Sequence, residues 1–154
     1  MRKKFLPQKR TFICISFLNY EARQKKNNRT GKAGELFILQ QENKRLKAFN
    51  REAEHVTITQ GDGLGYDIKS YDEEGKEIYI EVKTTTQNFG SPFYITRTEL
   101  ERSRVEGDQY RLYRVYNFDI STDVGNIPIS KGSLDGYCQQ PETYRVGLRK
   151  IKTT

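Results

Sequence analysis

The 154 residues contain one histidine, two cysteines and four prolines, and each scarcity excludes something. A lone His55 cannot supply the several histidines that His-Asn-His nucleases or two-histidine phosphodiesterases need, so it reads as structural. Cys14 and Cys138 lie far apart and outside any C-x-x-C pattern, which argues against a disulfide framework and against a zinc site. Two reduced thiols suit a cytoplasmic protein. No apolar run approaches the roughly 20 residues that a membrane span needs. The basic start followed by Thr11 to Leu18 has the outline of a signal peptide. Pro7, Lys9 and Arg10 interrupt it, however, and no small-residue cleavage site follows, so residues 1–18 read as a strand or packed arm. Repeats and Pro-rich or Gly/Ser-rich linkers are missing as well, which leaves one domain over residues 19–154.

What is present is charge. Charged residues make up 31% of the chain and apolar ones 34%, so ten Tyr and eight Phe must supply much of the packing. The net charge of +7 is unevenly placed. Residues 1–50 hold 13 Lys or Arg against Glu21, Glu35 and Glu42, and the remainder is slightly acidic. A basic N-terminal part suits contact with a phosphate backbone, because each Lys or Arg that neutralises a phosphate releases a condensed counterion. A solvated basic helix would have the same composition. Lys25, Lys26, Arg29 and Lys32 are the candidates for such contact.

Asn19 to Arg29 is polar and helix-compatible, and Lys32 to Asn50 is an amphipathic helix with Ala33, Leu36, Phe37, Leu39, Leu46 and Phe49 near one face and Thr30 as its N-cap. His55 to Thr59 is β-prone. Gly61, Gly63 and Gly65 then permit a sharp turn; they open no helix, and no G-x-x-x-x-G-K-[ST] loop exists, so P-loop and Rossmann nucleotide binding are set aside. Pro92 to Thr96 reads as a short strand, Thr96 to Val105 as a helix capped by Thr96 or Thr98, and Gln109 to Phe118 as a central strand. Ile127 to Ile129 and Tyr144 to Leu148 are edge-strand candidates. The order describes an α/β or α+β domain around a mixed sheet.

The chemistry concentrates in one hairpin. Asp72-Glu73-Glu74-Gly75 is a turn sequence between two period-2 strands, and a turn centred near Glu74 pairs positions that sum to about 148. Ile68 then faces Ile80, and Asp67 faces Glu81. Tyr66, Ile68, Ser70, Ile78, Ile80 and Val82 form one face; Asp67, Lys69, Glu77, Tyr79, Glu81 and Lys83 form the other. Opposed carboxylates destabilise a sheet, and a divalent cation would reverse that sign. Mg²⁺ accepts hard oxygen ligands at about 2.0 to 2.1 Å and commonly uses one or two carboxylates. Lys83 is placed to approach the same phosphate. Glu-x-Lys is also a common strand sequence, and many hairpin faces are charged only because they are wet. The apolar Tyr79, Ile80 and Val82 argue instead for an internal strand.

The stretch Gly61-Asp62-Gly63-Leu64-Gly65-Tyr66-Asp67-Ile68, then Ile80-Glu81-Val82-Lys83-Thr84-Thr85, resembles the NO VEIN C-terminal domain family of the PD-(D/E)xK restriction-endonuclease-like superfamily. Gly34-Glu35-Leu36, Pro92 to Thr96 before Glu99-Leu100, and Tyr113 to Phe118 add to the likeness, which covers roughly residues 19–148. The resemblance implies an αβββαβ core, with Glu35 as a helical carboxylate of the metal site, Asp67 and Glu81 as its further ligands of Mg²⁺ or Mn²⁺, and Lys83 as the catalytic lysine. Tyr66 stands where the superfamily motif has Pro. The family is linked to restriction and defence systems, so the implied activity is DNA hydrolysis, with helicase or restriction proteins as partners and a homodimer where both strands are cut.

A catalytically silent nucleic-acid-binding module and a protein-interaction domain of the same fold are the competing readings. Glu35 would also be favourable as a helix first-turn charge. Thr85 is a minor candidate for phosphate contact. Arg97, Arg102 and Arg104 alternate with Glu99, Glu101 and Glu106, which reads as a solvated helix face. Tyr110, Tyr113 and Tyr116 fall on both faces of a strand, so they read as core and sheet surface and not as a platform for bases.

Overall fold

The computed structural model describes residues 10–61 and 63–138, with side chains from Lys25 onward. The expected edge strand at 144–148 and the first nine residues of the expected arm lie outside the described residues. The chain runs α1 (Arg10–Leu46), β1 (Glu54–His55), α2 (Val56–Thr59), β2 (Ile68–Tyr71), β3 (Glu77–Thr84), α3 (Arg97–Glu106), β4 (Tyr110–Asp119), β5 (Val124–Asn126) and β6 (Ile129–Lys131). The strands make one six-stranded sheet in the order β1-β2-β3-β4-β5, with β6 also on β4. Strands β3 and β4 are parallel and the other pairs antiparallel. A parallel pair needs a crossover, which α3 supplies. The fold is therefore a mixed α+β sheet flanked by helices, as the residue pattern suggests.

Helix α1 covers one face of the sheet. Its Phe37 and Ile38 pack with Ile68, Ile78, Ile80 and Val82 of the hairpin and with Tyr113, Val115 and Phe118 of β4. A second core lies on the opposite face, where Val56, Tyr66, Tyr110, Leu112 and Leu134 gather beneath Leu100 of α3. Gly34 lets α1 approach the sheet. A Cβ there would stand 1.9 Å from Thr84 Oγ1 and 2.7 Å from Thr84 Cβ. Glycine to alanine inside a helix ordinarily stabilises by roughly 1 kcal/mol, but here overlap with the strand reverses the sign. Gly34→Ala should therefore destabilise by about 1–3 kcal/mol, read as a lower urea midpoint.

Several local expectations are corrected. The stretch from Thr11 to Leu18, expected as a strand or arm, is helical and continuous with the rest of α1. The expected break at Thr30 does not occur either. Thr30 is buried inside the helix and its hydroxyl donates to the Lys26 carbonyl at 3.0 Å, so it is not a cap. Lys, Arg, Gln and Glu are strong helix formers, and their run carries the helix through Gly31 and Gly34. Leu36 on α1 and Phe49 in the 3-10 turn that follows it are exposed, while Ile38 is fully buried.

The segment His55 to Thr59 ends its strand at His55 and turns into a short helix. Pro92 to Thr96 forms no strand. Proline cannot donate to a ladder, and the segment instead lays Phe93 and Ile95 on the second core. Tyr66, expected among the residues of the α1-side core, lies in the second core with its ring 4.9 Å from that of Tyr79.

Candidate functional site

The hairpin forms with the expected register from Ile68↔Ile80 to Tyr71↔Glu77. Its turn is closed by Gly75 N donating to Asp72 O at 3.1 Å and Lys76 N donating to Asp72 Oδ1 at 2.8 Å. The pairing slips by one residue at its open end. Asp67 N donates to Ile80 O at 2.9 Å, so Asp67 does not sit squarely opposite Glu81. Gly65 accounts for this departure. Gly65 has φ +82°, and a Cβ on it would be 2.8 Å from both Arg102 Cβ and Thr98 O. The chain entering β2 is thereby pressed against α3. Asp67 turns its carboxylate to β3, where Oδ2 accepts from Val82 N at 2.8 Å.

Strand β3 alternates as its period requires. Ile80 and Val82 face α1, while Glu81 and Lys83 face α3. Glu81 is only 3% exposed. Lys83 Nζ lies 2.7 Å from Glu81 Oε1 and 2.8 Å from Glu99 Oε2, and so bridges the strand to the start of α3. Glu99 is the site neighbour that sequence reasoning placed on a solvated helix face. The signal that could have found it is the capping box Thr96-x-x-Glu99, which marks the helix start immediately after the crossover from β3.

The charges in this cluster do not balance. Burial pushes the Asp67 carboxyl up to about 6; its bond from Val82 N opposes the rise and the neighbouring Glu35 adds to it. Burial, then the charge of Asp67, pushes Glu81 up to about 8 despite the ammonium beside it. An ion pair ordinarily lowers its carboxylate. Here one ammonium faces Asp67, Glu81 and Glu99 together, so negative charge stays in excess. Burial draws Lys83 down, yet Glu81 and Glu99 outweigh that and hold it above its usual value.

Glu35, expected as a third carboxylate of the site, is paired elsewhere. Its Oε2 lies 2.8 Å from Nε2 of the buried His55, although its charge is felt at Asp67. Among the described residues no three His, Cys, Asp or Glu side chains converge as a metal cage. What converges is the pair Asp67 and Glu81, and its donor chemistry fits a hard divalent cation. Each carboxylate spends one oxygen on a protein donor, Oδ2 on Val82 N and Oε1 on Lys83, and keeps Oδ1 or Oε2 for another ligand. Mg²⁺ commonly takes one or two carboxylates and completes its shell with water and phosphate.

Lys25, Lys26, Arg29 and Lys32 are exposed on α1. Thr85 closes the end of β3: its N–H donates to Val115 O and its Oγ1 accepts from Gln87 N at 3.1 Å. That engagement makes it part of a turn. The expected solvated face of α3 is present in Arg97 and Glu101, an exposed i,i+4 pair at 2.7 Å, but not in Glu99.

Of the described helices, none is long and apolar enough to cross a membrane. A family model described as Protein NO VEIN, C-terminal matches residues 34–127, a span that holds Glu35, Asp67, Glu81, Lys83 and Glu99 but not the basic residues 25–32. Neither a curated protein nor a solved structure matches the chain.

Proposed function

We propose that this chain, which belongs to the Protein NO VEIN, C-terminal family, is a divalent-metal-dependent nuclease of the PD-(D/E)xK type that hydrolyses DNA phosphodiester bonds. One observation carries the reading: the buried Glu81, the half-buried Asp67 at the entry to β2 and Lys83 form a cluster with excess negative charge. A structural hairpin face has no need of such a group, since burying unbalanced carboxylates costs stability. The order helix, three strands with the one-turn α2 between the first two, helix, strand supports the superfamily placement.

In this reading Asp67 and Glu81 hold Mg²⁺ or Mn²⁺, which when bound supplies Lewis acidity toward a phosphate oxygen and the attacking water. Glu35 stands outside the ligand pair and adds negative charge beside Asp67. Lys83 donates to a non-bridging phosphate oxygen, where charge builds as the new P–O bond forms and the leaving oxygen departs. Its ammonium has three N–H donors, two of them engaged by Glu81 and Glu99, so one remains for substrate. The protein acts in the cytoplasm within a restriction or defence system, alongside helicase or restriction partners, and as a homodimer where both strands are cut.

Incubation of plasmid, oligonucleotide and RNA substrates with Mg²⁺ or Mn²⁺, against chelated controls, tests the proposal. Cleavage that depends on the ion supports it; equal cleavage in chelator removes it. A second reading, a silent nucleic-acid-binding module, is favoured by the exposed Lys25, Lys26, Arg29 and Lys32. It predicts salt-sensitive DNA binding that survives Glu81→Ala, with no cleavage by either protein.

The same electrostatics predict an unusual pH dependence without divalent ions. Both carboxylates titrate higher in the folded than in the unfolded chain, so the folded state holds more protons between the ordinary carboxylate range and about 8. The stability slope with pH is negative there. Metal-free protein should lose stability as pH rises through that window, Glu81→Gln should flatten the loss, and Mn²⁺ should raise the melting temperature most above pH about 8. Melting curves over pH with chelator and with Mn²⁺ check all three.

A further inference from the structure

We infer that Glu99 is a positioning residue of this site, holding the Lys83 ammonium over Glu81 from the first turn of α3. The inference rests on the nuclease reading for its purpose, but the contact has its own geometry. Glu99 Oε2 accepts from Lys83 Nζ at 2.8 Å and from Thr96 N at 2.9 Å. One carboxylate oxygen therefore ties the lysine to the backbone that starts the helix. Both side chains are largely buried, at 14% and 18% exposure.

A lysine has four rotatable stem bonds and a compact charge, and left alone it would fold fully onto its strand neighbour Glu81. Opposed attraction from a second carboxylate on another element places the ammonium between them. The remaining N–H is then directed by two fixed acceptors and not by a flexible stem. Glu99 is also anchored more firmly than an ordinary helix glutamate, because its carboxylate accepts from Thr96 N; the separate bond from Glu99 N to the Thr96 hydroxyl at 3.2 Å caps the helix and does not hold the carboxylate. Arg97 and Glu101, the exposed pair on the same helix, have no such anchoring.

Capping and positioning can be separated. Glutamine at N3 still serves a capping box, so Glu99→Gln keeps the helix start while removing the charge that holds Lys83. Thr96→Ala does the reverse: it deletes the hydroxyl cap and leaves Glu99 its charge and its backbone donor. With plasmid DNA and Mg²⁺, Glu99→Gln should lower the single-turnover cleavage rate about ten- to a hundredfold at unchanged DNA affinity. Thr96→Ala should lower the melting temperature and retain the wild-type rate. A Glu99→Gln rate within about twofold of wild type, while Lys83→Ala is inactive, overturns the positioning role and leaves the nuclease reading standing.

A second measurement does not depend on turnover. In lysine-¹⁵N protein the Lys83 ammonium, doubly paired and shielded, should give a slowly exchanging signal that Glu99→Gln abolishes and Thr96→Ala preserves. Persistence of that signal in Glu99→Gln overturns the hold even if no substrate is cut. Loss of the signal together with no cleavage by wild type establishes the hold and removes the nuclease reading instead.

Discussion

Glu81→Ala and Lys83→Ala are each expected to lower ion-dependent DNA cleavage by on the order of a thousandfold, because in the proposed nuclease Glu81 would hold the ion and Lys83 would donate to the scissile phosphate. Their effects on folding should differ. Glu81 is 3% exposed and its ionised form is disfavoured by burial and by Asp67, so Glu81→Ala should keep the melting temperature at or above wild type above neutral pH. Lys83→Ala leaves Glu81 beside Asp67 and Glu99 with no ammonium among them, and its melting temperature should fall as pH rises. Cleavage assays and melting curves on the same preparations separate chemistry from folding. Wild-type cleavage by either variant, under ion-dependent conditions, would sink the assignment of these two groups.

The second large effect lies away from the cluster. Glu42→Ala should cost about 3 kcal/mol, read as a lower urea midpoint at unchanged slope. Glu42 is 4% exposed, yet it anchors a polar network between α1 and the sheet. Its Oε2 accepts from Ser70 Oγ and from Arg45 at 2.6 Å each, and its Oε1 accepts from Tyr113 OH at 3.0 Å. Deleting it leaves two buried hydroxyls and a half-buried guanidinium without their acceptor, while Arg45 keeps the Tyr71 carbonyl at 2.5 Å. That remaining bond and the partial exposure of Arg45 keep the cost near the lower end for a broken buried pair. In the cold, where the variant remains folded, cleavage should persist, because the side chains of this network bond to Glu42 on the α1 side of the sheet, while Lys83 reaches Glu99 on the α3 side. Loss of activity without loss of stability would show instead that α1 transmits the position of Glu42 to the site.

Both carboxyl clusters were present in the sequence as isolated letters, and they were not equally readable. The hairpin was legible because a side-chain period of two and a turn sequence ending in Gly75 leave few registers that keep Ile68, Ile78, Ile80 and Val82 on one face. Asp67 escaped that arithmetic by one residue, since its position depends on how Gly65 packs against α3. The capping box at Thr96 was local and could be read; the neighbour of Glu99 could not. His55 was readable only as a solitary histidine, and its partner Glu35 lies 20 residues earlier on another element. Helix α1 misled for the opposite reason: Thr30 has the chemistry of a cap, but the propensity of the residues on both sides carried the helix past it.

By itself the sequence determined which residues alternate along β3, where the hairpin turns, and that carboxylates and a lysine fall on one face, because these follow from backbone geometry over a few neighbouring residues. The tertiary structure decided what that face meets. The parallel β3–β4 pairing requires a crossover, the crossover lays the start of α3 over the end of β3, and this removes Glu81 from water and brings Glu99 to Lys83. Burial and long-range charge set how those groups ionise, and neither is a property of any short stretch of chain.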